Sequence, residues 1–229
     1  MSVFSVRDRR MLREMLADVT RPVGVLAYAE DSQRPAVEDL MGELARLTRG
    51  PLSAQVLNDD HDGALIRAIG FQRTPSFAFV NAHGEIAPVE MVGLPTGYQF
   101  GAFLNMLLVL NRGRLNLSHA VQGALKNAGR DVRLEVVVAA TCPNCPGVVR
   151  LVQQCALANP ARIRAVSIDA IQHPDLAGPG VEAVPLTRIW VEGRMAGEHT
   201  GLMSEQQLYQ LIQGALKGVR WRDRTIGQH

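Results

Sequence analysis

The chain is poor in aromatic residues and in cysteine, and it has no excess of charge of either sign. Two Trp, three Tyr and six Phe are spread over 229 residues without an interleaved basic patch, so the stacking platform of a single-strand binder is missing. Lys and Arg number 24 against 22 Asp and Glu, a net charge of +2. That balance argues against affinity built on counterion release, and no nucleic-acid partner is expected. Long hydrophobic runs are absent as well. "FLNMLLVL" and "LEVVVAA" fall far short of the roughly 20 residues that cross a bilayer, so no membrane association is expected. The opening "MSVFSVRDRRMLREML" carries Arg7, Asp8, Arg9, Arg10, Arg13 and Glu14 where a secretory signal needs an apolar core; it predicts an amphipathic helix and a cytoplasmic protein. Three cysteines, an odd number, do not make a disulfide framework, and a chain of this length can bury a core without one.

What is present is an order of elements that occurs twice. In the first half, "PVGVLAYA" (22–29) reads as a strand, and "PAVEDLMGELARL" (35–47) spaces Val37, Leu40, Met41, Leu44 and Leu47 at helical period. "LSAQVLN" is a strand, "DGALIRAIG" a short helix closed by Gly70, and "PSFAFVN" with "EIAPVEMVG" a hairpin turning at Asn81 to Gly84. "GYQFGAFLNMLLVLN" closes the unit as a helix, its apolar face assigned to the core. In the second half "VRLEVVVAA", "CPGVVRLVQQCALA", "ARIRAVSID", the short link "HPDLA", the hairpin "PLTRIWVEG" and "RMAGEHTG", and "SEQQLYQLIQGALKG" repeat that order, with Ser204 as N-cap of the last helix. Asp31 to Pro35 falls opposite Cys142 to Pro146 at a spacing of 111, Thr74-Pro75 opposite Val184-Pro185 at 110, and Gly93 opposite Gly201 at 108. This slow drift points to two copies of one β-α-β-α-β-β-α unit, residues 1–116 without cysteines and 117–229 with them, joined by "GRLNLSHAVQGALKNAGR", helical in its middle. A CxxC at a strand-to-helix turn with an X-Pro opening a hairpin about 40 residues later resembles the thioredoxin fold. The expected class is α/β, two tandem thioredoxin-like folds with mixed sheets flanked by helices, packed as one compact unit.

Cys142-Pro143-Asn144-Cys145 admits three readings: a redox pair, half of a metal site, or two idle thiols. A tetrahedral metal site wants four ligands, and neither a second CxxC nor a His pair at ligand spacing exists. Cys155 lies ten residues, roughly 15 Å, along the same helix from Cys145 and shares a face with Val148 and Val152; it reads as a small core residue. The six histidines follow no ligand spacing and read as surface or turn residues. For the redox reading, "VVVAA" predicts a buried central strand, since apolar residues run without alternation. The helix after it begins near Cys142 and offers unpaired N–H groups and the positive end of its dipole. Such surroundings lower a cysteine pKa from about 8.5 to ~7 or below and raise the thiolate fraction at neutral pH from roughly 3% to about half. Cys142 is thus the candidate nucleophile and Cys145, one turn further in, the resolving thiol. Pro146 is tolerated in the first turn. The thioredoxin-like resemblance makes Val184-Pro185 the candidate cis-proline whose strand edge can accept a partner's backbone; the alternative is an ordinary trans proline opening a strand.

The stretches "LEVVVAATCPNCPGVVRLVQQCALANPARIRAVSIDA" and "VEAVPLTRIWVEGRMAGEHTGLMSEQQLYQLI", with "TRPVGVLAYAEDSQ", "RTPSFAFVN" and "GLPTGYQFGAFLNMLLVL" in the first half, resemble the N-terminal domain of the alkyl hydroperoxide reductase flavoprotein. The resemblance covers about residues 7 to 217. It implies a dithiol carrier, a thiol-disulfide oxidoreductase that takes electrons from a thioredoxin-reductase-like flavoprotein and passes them to a peroxiredoxin or other protein disulfide. It also implies no cofactor beyond the Cys142-Cys145 disulfide, and substrate contacts from Pro143, Asn144, Val184, Pro185 and Gln99. Three departures qualify the likeness. No GxGxxG occurs, so reduction is expected to need a separate reductase. The family's glutamate in a "GHEF" stretch is Gln99 here, in Gly97-Tyr98-Gln99-Phe100, and an amide cannot titrate as a carboxylate does. The buried Asp of ordinary thioredoxins, six residues before the first cysteine, is Val136, and Glu135 beside it is expected to face the other side of the strand. Two rival readings remain at this level. A glutaredoxin-like or iron-sulfur protein would be coloured and carry labile sulfide, although the tetrad lacks the tyrosine of CPYC. A binding or chaperone-like module would keep partner binding after loss of both cysteines.

Overall fold

Local sequence sets each element before packing does. Helix α1 (Val6–Leu16) starts in a capping box: Ser5 Oγ accepts the Asp8 N–H at 3.1 Å while the Asp8 carboxylate accepts the Ser5 N–H, and the helix buries Leu12 and Leu16. The chain continues through β1 (Val23–Tyr28), α2 (Arg34–Leu47), β2 (Leu52–Leu57), α3 (Asp59–Ile69), β3 (Ser76–Val80), β4 (Ile86–Val92) and α4 (Tyr98–Arg112). Helix α2 buries the five apolar residues its periodicity selects, and α3 is capped by Asn58 before it and by Gly70 after it, whose φ of 81° only glycine adopts readily. Then follow α5 (His119–Lys126), β5 (Val132–Val138), α6 (Cys145–Ala158), β6 (Ile163–Asp169), α7 (Pro174–Ala177), β7 (Leu186–Val191), β8 (Arg194–Thr200), α8 (Glu205–Leu216) and β9 (Trp221–Asp223). This computed structural model describes residues 3–223, so His229 lies outside the described residues.

The described chain divides into two compact units. The first runs to Ala87 and adds Val92–Leu94 and Leu104–Arg114; the second takes Pro88–Met91, Pro95–Phe103 and everything from Leu115 onward. In the first, β1 pairs in parallel with β2 and antiparallel with β3. In the second, β5 stands in the same relation to β6 and β7, and β8 and β9 extend the sheet. The short parallel strand β9 has no signal in the sequence pattern. It settles against Gly197 of β8, where a Cβ would lie 2.5 Å from the Trp221 carbonyl oxygen.

The two copies agree in detail. Helices α2 and α6 both have 14 residues, a proline in the first turn and an N-cap residue, Gln33 or Asn144, in the αR region without a capping side-chain bond. Thr74-Pro75 and Val184-Pro185 are both cis. Gly93 donates its N–H to the Pro75 carbonyl, and Gly201 to that of Pro185, each at 2.8 Å, with φ of 102° and 103°.

Candidate active site

Strand β5 ends at Val138, and the chain turns through Ala139 to Asn144 before α6 begins at Cys145. The Cys142 N–H is held by the Ala139 carbonyl at 3.1 Å, which fixes the turn. Cys142 precedes the N-cap and stays partly exposed, whereas Cys145 is wholly buried. The two form a disulfide with Cα atoms 5.5 Å apart. The Cys145 N–H, one of the first-turn donors that lack a helical partner, donates to Cys142 Sγ at 3.1 Å. That N–H and the N-terminus of α6 lie beside the Cys142 sulfur, where the sequence reading expects them. Cys142 Sγ also lies 3.7 Å from the carbonyl oxygen of Val184, the residue before the cis Pro185. Pro185 is buried beside partly buried Val184, and Pro143 and Asn144 are exposed next to the reactive sulfur.

The first turn of α4 and the glycine before it complete the site. Tyr98 donates its N–H to the Ala140 carbonyl at 2.9 Å, and the buried Gln99 donates Nε2–H to that of Ala139 at 3.3 Å. Gln99 Oε1 is buried and has no hydrogen-bond partner. Gly97 has a φ of 54°, and a Cβ there would run into the Ala140 carbonyl oxygen. Pro95–Phe103 thus belongs with the dithiol, although the repeat alignment counts it in the first copy. Sequence reasoning singled out Gln99 and missed Gly97 and Tyr98. Their traces in the sequence are the match of Gly97-Tyr98-Gln99-Phe100 to the family's "GHEF" stretch and a glycine just ahead of a helical pattern.

The charges around β5 are committed elsewhere. Val136 is fully buried and apolar at the position of the thioredoxin aspartate. Glu135 is buried on the opposite face and binds Arg188 at 3.0 Å and Arg133 at 3.1 Å, while Arg188 also donates to the Ala177 carbonyl at 2.5 Å. Cys155 is a core thiol, and burial, with the Glu205 charge adding to it, pushes its pKa up to about 12. Two histidines depart from expectation. His173 and His199 are buried rather than on the surface: the backbone N–H of His173 donates to the Asp169 carbonyl, and His199 Nε2 lies 3.2 Å from the Leu202 carbonyl. Among the described residues no group of three or more His, Cys, Asp or Glu is placed to hold a metal ion, and no helix is long and apolar enough to cross a membrane.

No protein-family profile matches the chain. Curated relatives do. The alkyl hydroperoxide reductase AhpF of Xanthomonas campestris pv. phaseoli is 29% identical over 168 residues, 73% of this chain and 29% of the relative. The AhpF of Escherichia coli (strain K12) is 24% identical over 199 residues, 86% of this chain and 35% of the relative. Among solved structures, the NTD_N/C domain of AhpF from Enterococcus faecalis (V583) superposes with a TM-score of 0.78 at 20% identity, covering 90% of this chain and 98% of that one. The chain is similar to the N-terminal domain of the alkyl hydroperoxide reductase AhpF. It spans about a third of the length of those curated relatives. A protein disulfide oxidoreductase from Aeropyrum pernix k1 matches with a TM-score of 0.82 at 25% identity, covering 95% of both chains. The likeness to the AhpF domain therefore takes in the whole two-copy α/β thioredoxin-like architecture, the cysteine-free copy included.

Proposed function

We propose that this protein is a thiol-disulfide oxidoreductase, a dithiol carrier that relays electrons from a separate thioredoxin-reductase-like flavoprotein to a peroxiredoxin or another protein disulfide. The observation that carries the reading is the asymmetry of the pair. Cys142 is open to a partner and receives an N–H on its sulfur, while Cys145 is buried behind it.

In the reduced carrier, the Cys142 thiolate attacks one sulfur of the partner disulfide. That S–S bond breaks, a mixed disulfide forms, and the departing partner thiolate takes a proton from solvent. Cys145 then gives up its proton and attacks Cys142 Sγ, releasing the partner with two thiols and leaving the carrier as its own disulfide. Two electrons have moved to the partner. A flavoprotein dithiol restores the carrier by the reverse exchange. No cofactor other than the cysteine pair enters these steps. Val136, at the position of the thioredoxin aspartate, is apolar, and Gln99, bound to the Ala139 carbonyl, is an amide, so neither takes up the resolving proton as a carboxylate would, and water is its acceptor in this reading. Soluble operation in the cytoplasm fits a dithiol that must be re-reduced.

The test is turnover of an oxidised peroxiredoxin by the full chain, recycled by a thioredoxin-reductase-like flavoprotein and a pyridine nucleotide. Cys142→Ser is expected to abolish turnover, and Cys145→Ser to accumulate a covalent carrier–peroxiredoxin species cleaved by dithiothreitol. Equal turnover by both variants and the unaltered protein would end the proposal.

A further inference from the structure

Four backbone segments meet around the reactive sulfur, and none of them carries a charged side chain: Pro95–Gly101, Ala139–Asn144, Ala183–Leu186 and Thr200–Met203. Bonds already described tie the first to the second, through the Ala139 and Ala140 carbonyls, and the fourth to the third, through Gly201 and Pro185. Cys142 Sγ links the second to the third at the Val184 carbonyl. Two large apolar side chains of this rim remain in solvent, Tyr98 at 54% and Leu202 at 60% exposure. An exposed aromatic ring costs little by itself, but this one sits on a backbone that is fixed twice. Its N–H is bound, and Gly97 before it has no room for a side chain. A ring carried on a fixed backbone at the edge of a reacting centre offers a large contact area with only two side-chain torsions to order when a partner docks.

We infer that Tyr98 is a specificity-determining residue of the dithiol, an aromatic wall that selects protein disulfides carried on apolar, uncharged segments. This rests on the oxidoreductase reading of Cys142 and Cys145. The occupant is a protein rather than a small acidic disulfide because the four segments offer no ion pair to a charged ligand. Oxidised glutathione, with its carboxylates, would find in them no cation, whereas an apolar loop can lie against Tyr98, Pro143 and Leu202. The nearest exposed carboxylate of the 181–185 loop, Glu182, further disfavours an acidic partner.

The experiment uses the full chain and two cyclic disulfide peptides of equal length, one with leucine and phenylalanine flanking its cysteines, the other with glutamate and serine. The protein is expected to reduce the apolar peptide with about tenfold higher kcat/KM. Tyr98→Ala should cut that preference at least fivefold through KM for the apolar peptide, with Tyr98→Phe restoring it. Met195→Ala, an exposed apolar residue at the far end of the β7–β8 hairpin, should keep it. Equal preference in the unaltered protein and Tyr98→Ala, or an equal loss in Met195→Ala, overturns the inference. Reaction of the reduced protein with the small uncharged disulfide 4,4′-dithiodipyridine separates the two levels. Should Cys142 fail to react there, the oxidoreductase reading itself falls; should it react while peptide preference ignores Tyr98, only this inference does.

Discussion

Cys142, Cys145 and Cys155 are the same residue in three environments, and their surroundings decide what each sulfur does. Cys142 meets an N–H donor and solvent, Cys145 is enclosed at the first turn of α6, and Cys155 is sealed ten residues further along the same helix. Burial holds Cys155 protonated in the folded chain up to about pH 12, against an ordinary value of 9.0. Its folded pKa is thus raised, so between those values only the unfolded chain loses this proton, and stability falls as pH rises by about 1.4 kcal/mol per unit. Urea midpoints measured between pH 8 and 10 should therefore decline more steeply for the unaltered protein than for Cys155→Ala. Iodoacetamide on the reduced native protein at pH 8 should label Cys142 and reach Cys155 only after unfolding. The core role of Cys155 was legible from its spacing to Val148 and Val152. The burial of His173 and His199 was not, because an isolated histidine carries no period that marks a buried face.

At the scale of elements, the central strand β5 and its neighbours bury charge as well as hydrocarbon. Register places Glu135 opposite Arg188, and Arg188 opposite Glu198 on β8. The side chains follow: the Glu135–Arg188 pair is at 3.0 Å with both groups largely shielded, and Glu198 lies 3.9 Å from Arg188. Breaking such a pair from one side strands a buried charge. Arg188→Met is expected to cost about 3 kcal/mol, moderated by the Glu135–Arg133 bond, while Arg188→Met combined with Glu135→Leu should recover most of the loss. Urea unfolding of the single and double variants checks this, and an additive double variant would contradict it. The parity of strand residues predicted that Glu135 turns away from the Val136 face. Its partner could not be read that way, since Arg188 is 53 residues distant and only the pairing of β5 with β7 brings it near.

At the scale of the molecule, sequence repeat and structural unit do not coincide at the dithiol. The second unit takes Pro95–Phe103, with fully buried Phe103, and Pro88–Met91, whose Glu90 pairs with Arg164 at 2.7 Å. A fragment of residues 117–229 keeps the CxxC and its strand but loses the bonds of Tyr98 and Gln99 to the Ala140 and Ala139 carbonyls. It is expected to be less stable than a fragment of residues 88–229 by about 3 kcal/mol, the scale of one or two buried side chains. Urea midpoints of the two fragments, with the cysteines in the same redox state, provide the measurement. Equal midpoints would mean that residues 88–116 contribute nothing to the unit that holds the cysteines.

The sequence by itself determined the elements, their repetition and the chemistry of the cysteine pair. Periodicity, caps and prolines act within a few residues, so α2 and α6, Ser204 and the turn before Cys145 all stood in the linear pattern. Tertiary structure alone decided what closes the site. The Ala139 and Ala140 carbonyls have donors 40 or more residues away, Val184 meets Cys142 across 42 residues, and β9 adds to β8 without any periodic signal. Backbone groups are alike at every residue, so which carbonyl a distant amide reaches is fixed only when the chain has packed.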